Sequence, residues 1–363
     1  MDLLGPDTAY QGCLIGGAIG DALGAPVEFM SMAQILQHYG QGGIQGLDES
    51  YGVHGAITDD TQMTLFTAEG LLRAYVRHSC KGICHIPSVV AHAYLRWLRT
   101  QSVTSPSVEV SMDGFLITNT DLYQRRAPGK TCISALQAMR SLGEPVTNDS
   151  KGCGSVMRAA PVGLALAHQE EDGLQMAFQL GIEIAALTHG HITGQLSAAF
   201  LSGLICLLAQ GQPLENAINR CLETLNGYEG AIETRAAIEN AKLAAEQQPS
   251  DMQTLVSLGE GWIAEEALAM AIYCCLSAND FRQAVLLSVN HGGDSDSTGS
   301  ITGNIMGVIG GLEAIPSHWV DQVELSPLIQ SIAKDLLEFP TWNIGEYTSG
   351  PEADAIWDRY PGH

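Results

Sequence analysis

Gly12-Cys13-Leu14-Ile15-Gly16-Gly17-Ala18-Ile19-Gly20-Asp21-Ala22-Leu23-Gly24 sets a glycine at every fourth position, with apolar residues in the gaps. On a helix, residues four apart share a face, so this segment predicts a helix with one side stripped to backbone. Glycine costs about 1 kcal/mol per helix-interior position relative to alanine, and four in register need a compensating gain. Close approach of a second backbone supplies one. Gly299, Gly303, Gly307 and Gly311 repeat the spacing near the other end of the chain. The interleaved Ile, Leu and Val argue against flexible glycine-rich loops. Both helices are therefore expected at the centre of the molecule. The first ridge runs into Asp21 and Glu28, and the second begins just after Asp294 and Asp296, so the two helices are expected to bring those acids together.

Two short acidic motifs stand beside the ridges: Thr58-Asp59-Asp60-Thr61-Gln62-Met63 and Gly292-Gly293-Asp294-Ser295-Asp296-Ser297-Thr298. Neither contains Lys or Arg. Each by itself reads as a helix start, with Asp60 as an N-cap in the first and a turn before a capped helix in the second. Carboxylates gathered at one place repel unless a cation sits among them, and hard divalent ions such as Mg²⁺ or Mn²⁺ prefer such oxygen ligands. Two motifs in one helical chain favour the metal reading. An EF-hand is excluded because no Glu stands at the twelfth loop position. His78, Cys80, Cys84, His85 and His92 match no closed four-ligand zinc spacing. Glu28 follows Pro26, which ends the ridge helix, and is expected on an extended segment.

Helical periodicity dominates elsewhere. Leu65, Ala68, Leu72 and Tyr75 share a face after Asp60; Pro87 opens a helix with Val89, Val90, Ala93, Tyr94, Trp97 and Leu98 as its buried stripe; Leu268, Ala271, Ile272 and Cys275 repeat the pattern. Period-2 alternation is scarce, which predicts an all-α fold. No Pro/Ser-rich linker divides the chain, so one domain over 1–363 is expected. The irregular stretch 100–130 is read as a loop bordering the site, and the tail from Trp342 as wrapped on the surface.

The chain carries 40 acidic and 17 basic side chains, a formal net charge of −23. Such a surface repels phosphate backbones and anionic lipid, which disfavours nucleic acid and membrane as partners. No apolar stretch reaches the roughly 20 residues that span a bilayer. The N-terminal MDLLGPDTAYQG shows no basic segment followed by an apolar run, and the nine cysteines are scattered and odd in number. A reduced, cytoplasmic protein without a signal peptide is expected, and a monomer.

With Gly20–Glu28, Thr58–Met63 and Gly292–Thr298 in this order, the sequence resembles the ADP-ribosylglycohydrolase family over roughly residues 10–345. Gly152-Cys153-Gly154-Ser155-Val156-Met157-Arg158, Leu187-Thr188-His189-Gly190-His191 and the segment around Glu265 and Glu266 extend the likeness. The resemblance implies a compact orthogonal helical bundle with a central dinuclear metal cleft. It implies two Mg²⁺ or Mn²⁺ ions on Glu28, Thr58, Asp59, Asp60, Asp294, Asp296 and Ser297, with Asp296 as the bridge. It implies catalytic roles for Glu28, Asp59 and Asp60, with Glu28 foremost as the base toward water. Substrate contacts are implied at Gly152, Gly154, Ser155, Met157, Arg158, His189, Gly293 and Ser295. Ser295 and Ser297 depart from the threonines common in the last motif; a Ser hydroxyl keeps the ligand oxygen with less rotamer restriction.

The implied activity is hydrolysis of ADP-ribose from a modified target, foremost from arginine on protein. Serine-linked ADP-ribose, O-acetyl-ADP-ribose, and binding of an ADP-ribosylating partner are the alternatives. A helical terpenoid synthase, which also binds Mg²⁺ through aspartate-rich motifs, is disfavoured: Met63 occupies the last position of the required DDxxD.

Overall fold

The computed structural model describes residues 5–362, and almost all regular structure in them is helical. Helices α1 (Pro6–Gly24) and α2 (Met32–Tyr39) precede a two-residue antiparallel hairpin, β1 (Glu49–Ser50) and β2 (Val53–His54). Next come α3 (Asp59–Lys81) and α4 (Ile86–Thr100). The stretch 101–129 holds only two short 3₁₀ turns and leads into α5 (Lys130–Ala138). Helices α6 (Ala160–Leu166), α7 (Gly173–Ala185), α8 (Ile192–Ala209), α9 (Leu214–Leu225), α10 (Ile232–Gln247) and α11 (Met252–Ser257) follow. Then α12 (Ala264–Ser277), α13 (Phe281–Val289) and α14 (Ser295–Gly310) lead to the surface helices α15 (Ser317–Gln322), α16 (Ser326–Glu338) and α17 (Pro351–Arg359).

The glycine ridges meet as expected. α1 and α14 run antiparallel with their backbones in direct contact. A Cβ on Gly12 would lie 2.3 Å from the Gly307 carbonyl oxygen, and one on Gly16 2.3 Å from that of Gly303. One on Gly20 would lie 1.9 Å from the Gly299 oxygen, and one on Gly24 2.3 Å from the Asp296 nitrogen. Any side chain larger than hydrogen would part the helices. Asn304 locks the pair by donating from Nδ2 to the Cys13 carbonyl at 2.8 Å. The antiparallel register places the C-terminal end of α1 against the N-terminal end of α14, which is what delivers Glu28 to Asp294 and Asp296.

α3 joins the same end. The Asp21 carboxylate, fully buried in α1, accepts from the Thr58 and Thr61 amides at 3.0 and 3.1 Å and from the Thr61 hydroxyl at 2.5 Å. That bracket pins the first turn of α3 to the ridge. Its N-cap is Thr58, not Asp60: Thr58 is extended and its hydroxyl accepts from the Asp60 amide. A threonine favours the β region an N-cap needs, so both aspartates fall in the first helical turn. Glu28 lies in a turn rather than on an extended segment, because Val27 donates to the Gly24 carbonyl and Met30 to that of Val27.

One helix among the described residues, α8, is apolar and long enough at 18 residues to cross a membrane by length and composition, against the expectation of no such stretch. It is a core helix, with 83% of it buried between its neighbours. The C-terminal segment folds back so that Trp342 stacks on Tyr360 and Arg359 pairs with Asp335 at 2.7 Å.

Candidate metal and substrate site

Five carboxylates from three elements share one end of the helical core. Glu28 comes from the turn after α1, Asp59 and Asp60 from the first turn of α3, and Asp294 and Asp296 from the start of α14. All are buried, none more than 7% exposed. Carboxylate oxygens of Glu28, Asp294 and Asp296 lie within 4.8 Å of one another. No Lys, Arg or His forms an ion pair with any of the five among the described residues. The positive ends of α3 and α14 point at the cluster, yet a helix terminus carries only about half a charge.

The protonation equilibria show the strain. Burial, then Asp296 and Asp294, push Glu28 up to about 11. Burial, then Asp296, raise Asp21 to about 7 and hold Asp59, Asp60 and Asp294 well above the carboxylate range. Hydrogen bonds relieve it only in part. Glu28 Oε2 and Asp60 Oδ1 are buried without a partner, a costly state for such atoms. An all-oxygen set with orphaned lone pairs at its centre fits a hard divalent cation. The Thr58 hydroxyl lies 3.4 Å from Asp60 Oδ2, and Ser297 reaches the same cavity.

Cys153, which the sequence reading passes over between Gly152 and Gly154, also belongs to the site. Its thiol donates to Asp294 Oδ2 at 2.8 Å and accepts from the Ser297 hydroxyl at 3.6 Å. Burial, then Asp294, push its pKa well above the thiol range.

The cluster forms the floor of a cavity of about 760 Å³, within the size of small-molecule sites. Of the expected residues, Glu28, Asp59, Asp60, Asp294, Asp296, Ser297, Gly152, Gly154, Met157 and His189 line it. Thr58, Ser155, Arg158, Gly293 and Ser295 do not. Ser155 donates to the Gly194 carbonyl at 2.9 Å, and Ser295 to that of Gly293. A Cβ on Gly293 would lie 2.1 Å from the Glu260 oxygen, so that glycine permits a close chain crossing. In the 152–158 segment one 3₁₀ turn (Cys153–Ser155) precedes further turns, and the next helix begins at Ala160. Backbone bonds fix it, with Cys153 donating to the Trp262 carbonyl and Ala264 to that of Lys151.

Arg125, Lys130 and Thr131, from the end of the 101–129 stretch and the start of α5, also line the cavity. Gly129 ties this segment to the cluster by donating to Asp59 Oδ2 at 3.2 Å. At the mouth, Phe29 and Trp262 are exposed by 70% and 40% and nearly parallel, with centroids 6.3 Å apart. The cavity therefore combines acidic, aromatic and basic side chains.

A family model described as ADP-ribosylglycohydrolase matches residues 5–343. The chain belongs to the ADP-ribosylglycohydrolase family. It is an ADP-ribosyl glycohydrolase, an enzyme that acts on ADP-ribosylated proteins or ADP-ribose derivatives. It is similar to the ADP-ribosyl-[dinitrogen reductase] glycohydrolase of Rhodospirillum rubrum, 24% identical over 86% of this chain and 90% of that one. It is also similar to the ADP-ribosylarginine hydrolase Tri1 of Pseudomonas putida, at 24% identity over 90% of this chain and 77% of that protein. A solved structure titled ADP-ribosylglycohydrolase-related protein complex shares the fold, with a TM-score of 0.67 over 92% of this chain and 98% of that chain at 24% identity.

Proposed function

We propose that this glycohydrolase cleaves the bond between ADP-ribose and the arginine side chain of a modified protein. In this reading Glu28, Thr58, Asp59, Asp60, Asp294, Asp296 and Ser297 would hold two divalent cations, Mg²⁺ or Mn²⁺. The observation that carries it is the pair of orphaned oxygens, Glu28 Oε2 and Asp60 Oδ1, buried in a carboxylate cluster that no protein cation balances. When bound, the ions neutralise the cluster, supply Lewis acidity and lower the pKa of bound water.

The protein groups divide the remaining work. The Gly152–Gly154 backbone, His189 and the basic side chains of Arg125 and Lys130 suit a pyrophosphate, leaving the reacting ribose toward the acids. As the bond to ribose C1 breaks, positive charge spreads over C1 and the ring oxygen, and fixed carboxylates oppose it. Glu28 takes a proton from the attacking water, whose oxygen bonds to C1 as the C1–N bond breaks, and that proton passes on to the departing guanidine nitrogen. Phe29 and Trp262 support the arginine linkage, because parallel aromatic faces beside carboxylates suit a flat cation. A serine or acetyl ester offers no such group. The relatives named for arginine and dinitrogen reductase act in the same direction.

The test is release of ADP-ribose from arginine-, serine- and acetyl-linked substrates, each with Mg²⁺ or Mn²⁺ and with EDTA. Metal-dependent release from arginine is expected. Release from serine or acetyl linkages alone would overturn the arginine assignment, and tight binding without release from any linkage would favour a role in sequestering an ADP-ribosylating partner.

A further inference from the structure

Arg158 presents a problem that the site does not absorb. Its side chain is wholly buried, and no carboxylate pairs with it among the described residues. A guanidinium stays charged in any protein setting, so this one needs a purpose. It lies 4.4 Å over the Tyr94 ring and contacts Met63 Sδ at 3.4 Å and Cys132 Sγ at 3.5 Å. Its one strong oxygen partner is the Thr188 hydroxyl, 2.5 Å from Nη2. The same hydroxyl lies 2.8 Å from His189 Nδ1.

We propose that Arg158 and Thr188 are positioning residues that hold His189 in its Nε2–H tautomer, presenting a neutral donor to the ligand. This rests on the reading of the cavity as an ADP-ribose site. Arg158 has only protons to give, so it occupies one lone pair of Thr188 Oγ1. The single hydroxyl proton is assigned to the 2.8 Å contact to His189 Nδ1, the nitrogen within hydrogen-bond reach of it, so that Nδ1 accepts. A neutral imidazole with Nδ1 accepting carries its proton on Nε2. That nitrogen faces the cavity loop: a Cβ on Gly152 or on Gly154 would sit 3.5 Å from it. The ring therefore lies against the backbone that borders the ligand.

Charge and packing make the arrangement hold. Burial, then the Arg158 charge, lower His189 to about 3, so the ring remains neutral and a donor. Asn148 fixes the segment on both sides, its side-chain amide donating to the Thr188 carbonyl at 2.8 Å and its oxygen accepting from the Gly190 amide at 3.0 Å. The opposite tautomer would turn a lone pair toward the ligand's pyrophosphate or ribose oxygens. A preorganised donor instead needs no rearrangement when the ligand arrives.

The experiment reads the tautomer directly, by ¹⁵N chemical shifts of the histidine ring in metal-free, ligand-free protein, with the His189 signals identified by their loss in His189→Gln. The expected result is a protonated Nε2 and an unprotonated Nδ1. Thr188→Val should shift those resonances toward a tautomer mixture and weaken ADP-ribose binding about tenfold, the loss of a hydrogen bond to a charged partner. KM should rise with kcat little changed, and Thr188→Ser should restore both readouts. A protonated Nδ1 in the wild type overturns the proposal, as does a Thr188→Val protein with unmoved resonances and unchanged affinity. The wild-type spectrum decides the matter even where a variant folds poorly. If the wild type shows the Nε2–H form but binds no ADP-ribose, the functional reading fails and the tautomer assignment stands.

Discussion

Gly20→Ala tests the mechanism that assembles the site. By helix propensity alone the change should stabilise α1 by about 1 kcal/mol. The structure predicts the reverse, because the new Cβ would lie 1.9 Å from the Gly299 carbonyl oxygen and 2.3 Å from its carbon. Both are backbone atoms of a packed helix and have no rotamer in which to retreat. An ordinary contact needs the helices about 1.5 Å further apart at that level, the kind of overpacking that costs about 3 kcal/mol. Set against the propensity gain, a net loss of about 2 kcal/mol is expected, seen as a lower urea midpoint with unchanged slope. Gly12→Ala meets the same obstacle, 2.3 Å from the Gly307 oxygen, at the far end of the ladder. It should cost similar stability while leaving Mn²⁺ affinity intact. Gly20→Ala displaces the Asp296 end and should weaken Mn²⁺ binding at least about tenfold, about 1.4 kcal/mol. A stabilised Gly20→Ala protein, or equal Mn²⁺ affinity in the two variants, would refute the reasoning.

Three further outcomes follow from the site. In EDTA the protein should lose stability as pH rises from 6.5 to 8: carboxylates whose folded pKa is raised stabilise below their unfolded values and lose that contribution as pH climbs through the folded ones, Asp21 near 7 among them. The slope is about 1.4 kcal/mol per pH unit for each proton held only by the folded state. The buried histidines, His189 near 3 and His291 near 4, work in the opposite sense but only below about 6.5, and saturating Mn²⁺ should abolish the loss, as urea midpoints at the two pH values would show. Asp294→Ala should abolish turnover and lower metal occupancy while unfolding remains cooperative; activity near wild type would remove Asp294 from the ligand set. Trp262→Ala should reduce kcat/KM for arginine-linked ADP-ribose about fivefold or more, the worth of a desolvated cation–π contact, with a smaller effect on any O-linked substrate; equal losses would point to a structural role.

Fold and site are legible in the sequence where local chemistry and tertiary placement coincide. Four glycines at helical spacing, set among Ile, Leu and Val, demand a second backbone against them, and the same spacing marks the antiparallel partner. The acidic doublets stand out because unpaired aspartates beside hydroxyls are costly without a cation. Details that depend on backbone conformation are less accessible. Local propensity makes Asp60 a plausible N-cap, yet Thr58 takes that position because its β-favouring backbone meets the geometry. Arg158 follows a glycine-rich loop as a phosphate contact would, but the turns at 155–159 direct it into the core against Tyr94. Cys153, Arg125 and Lys130 reach the cavity through irregular segments whose course no periodicity reveals. Phe29 and Trp262 leave faint signals: one adjoins Glu28, and the other follows Gly259 and Gly261, both at positive φ, which make the bend that sets it at the cavity mouth.

The central claim is that the buried carboxylates at the junction of α1, α3 and α14 are a divalent-cation site. Calorimetric titration of EDTA-stripped protein with Mn²⁺ tests it most directly. Saturable binding of two ions per chain is expected, lost or halved in Asp296→Ala. No binding, or binding unchanged by Asp296→Ala, would contradict it.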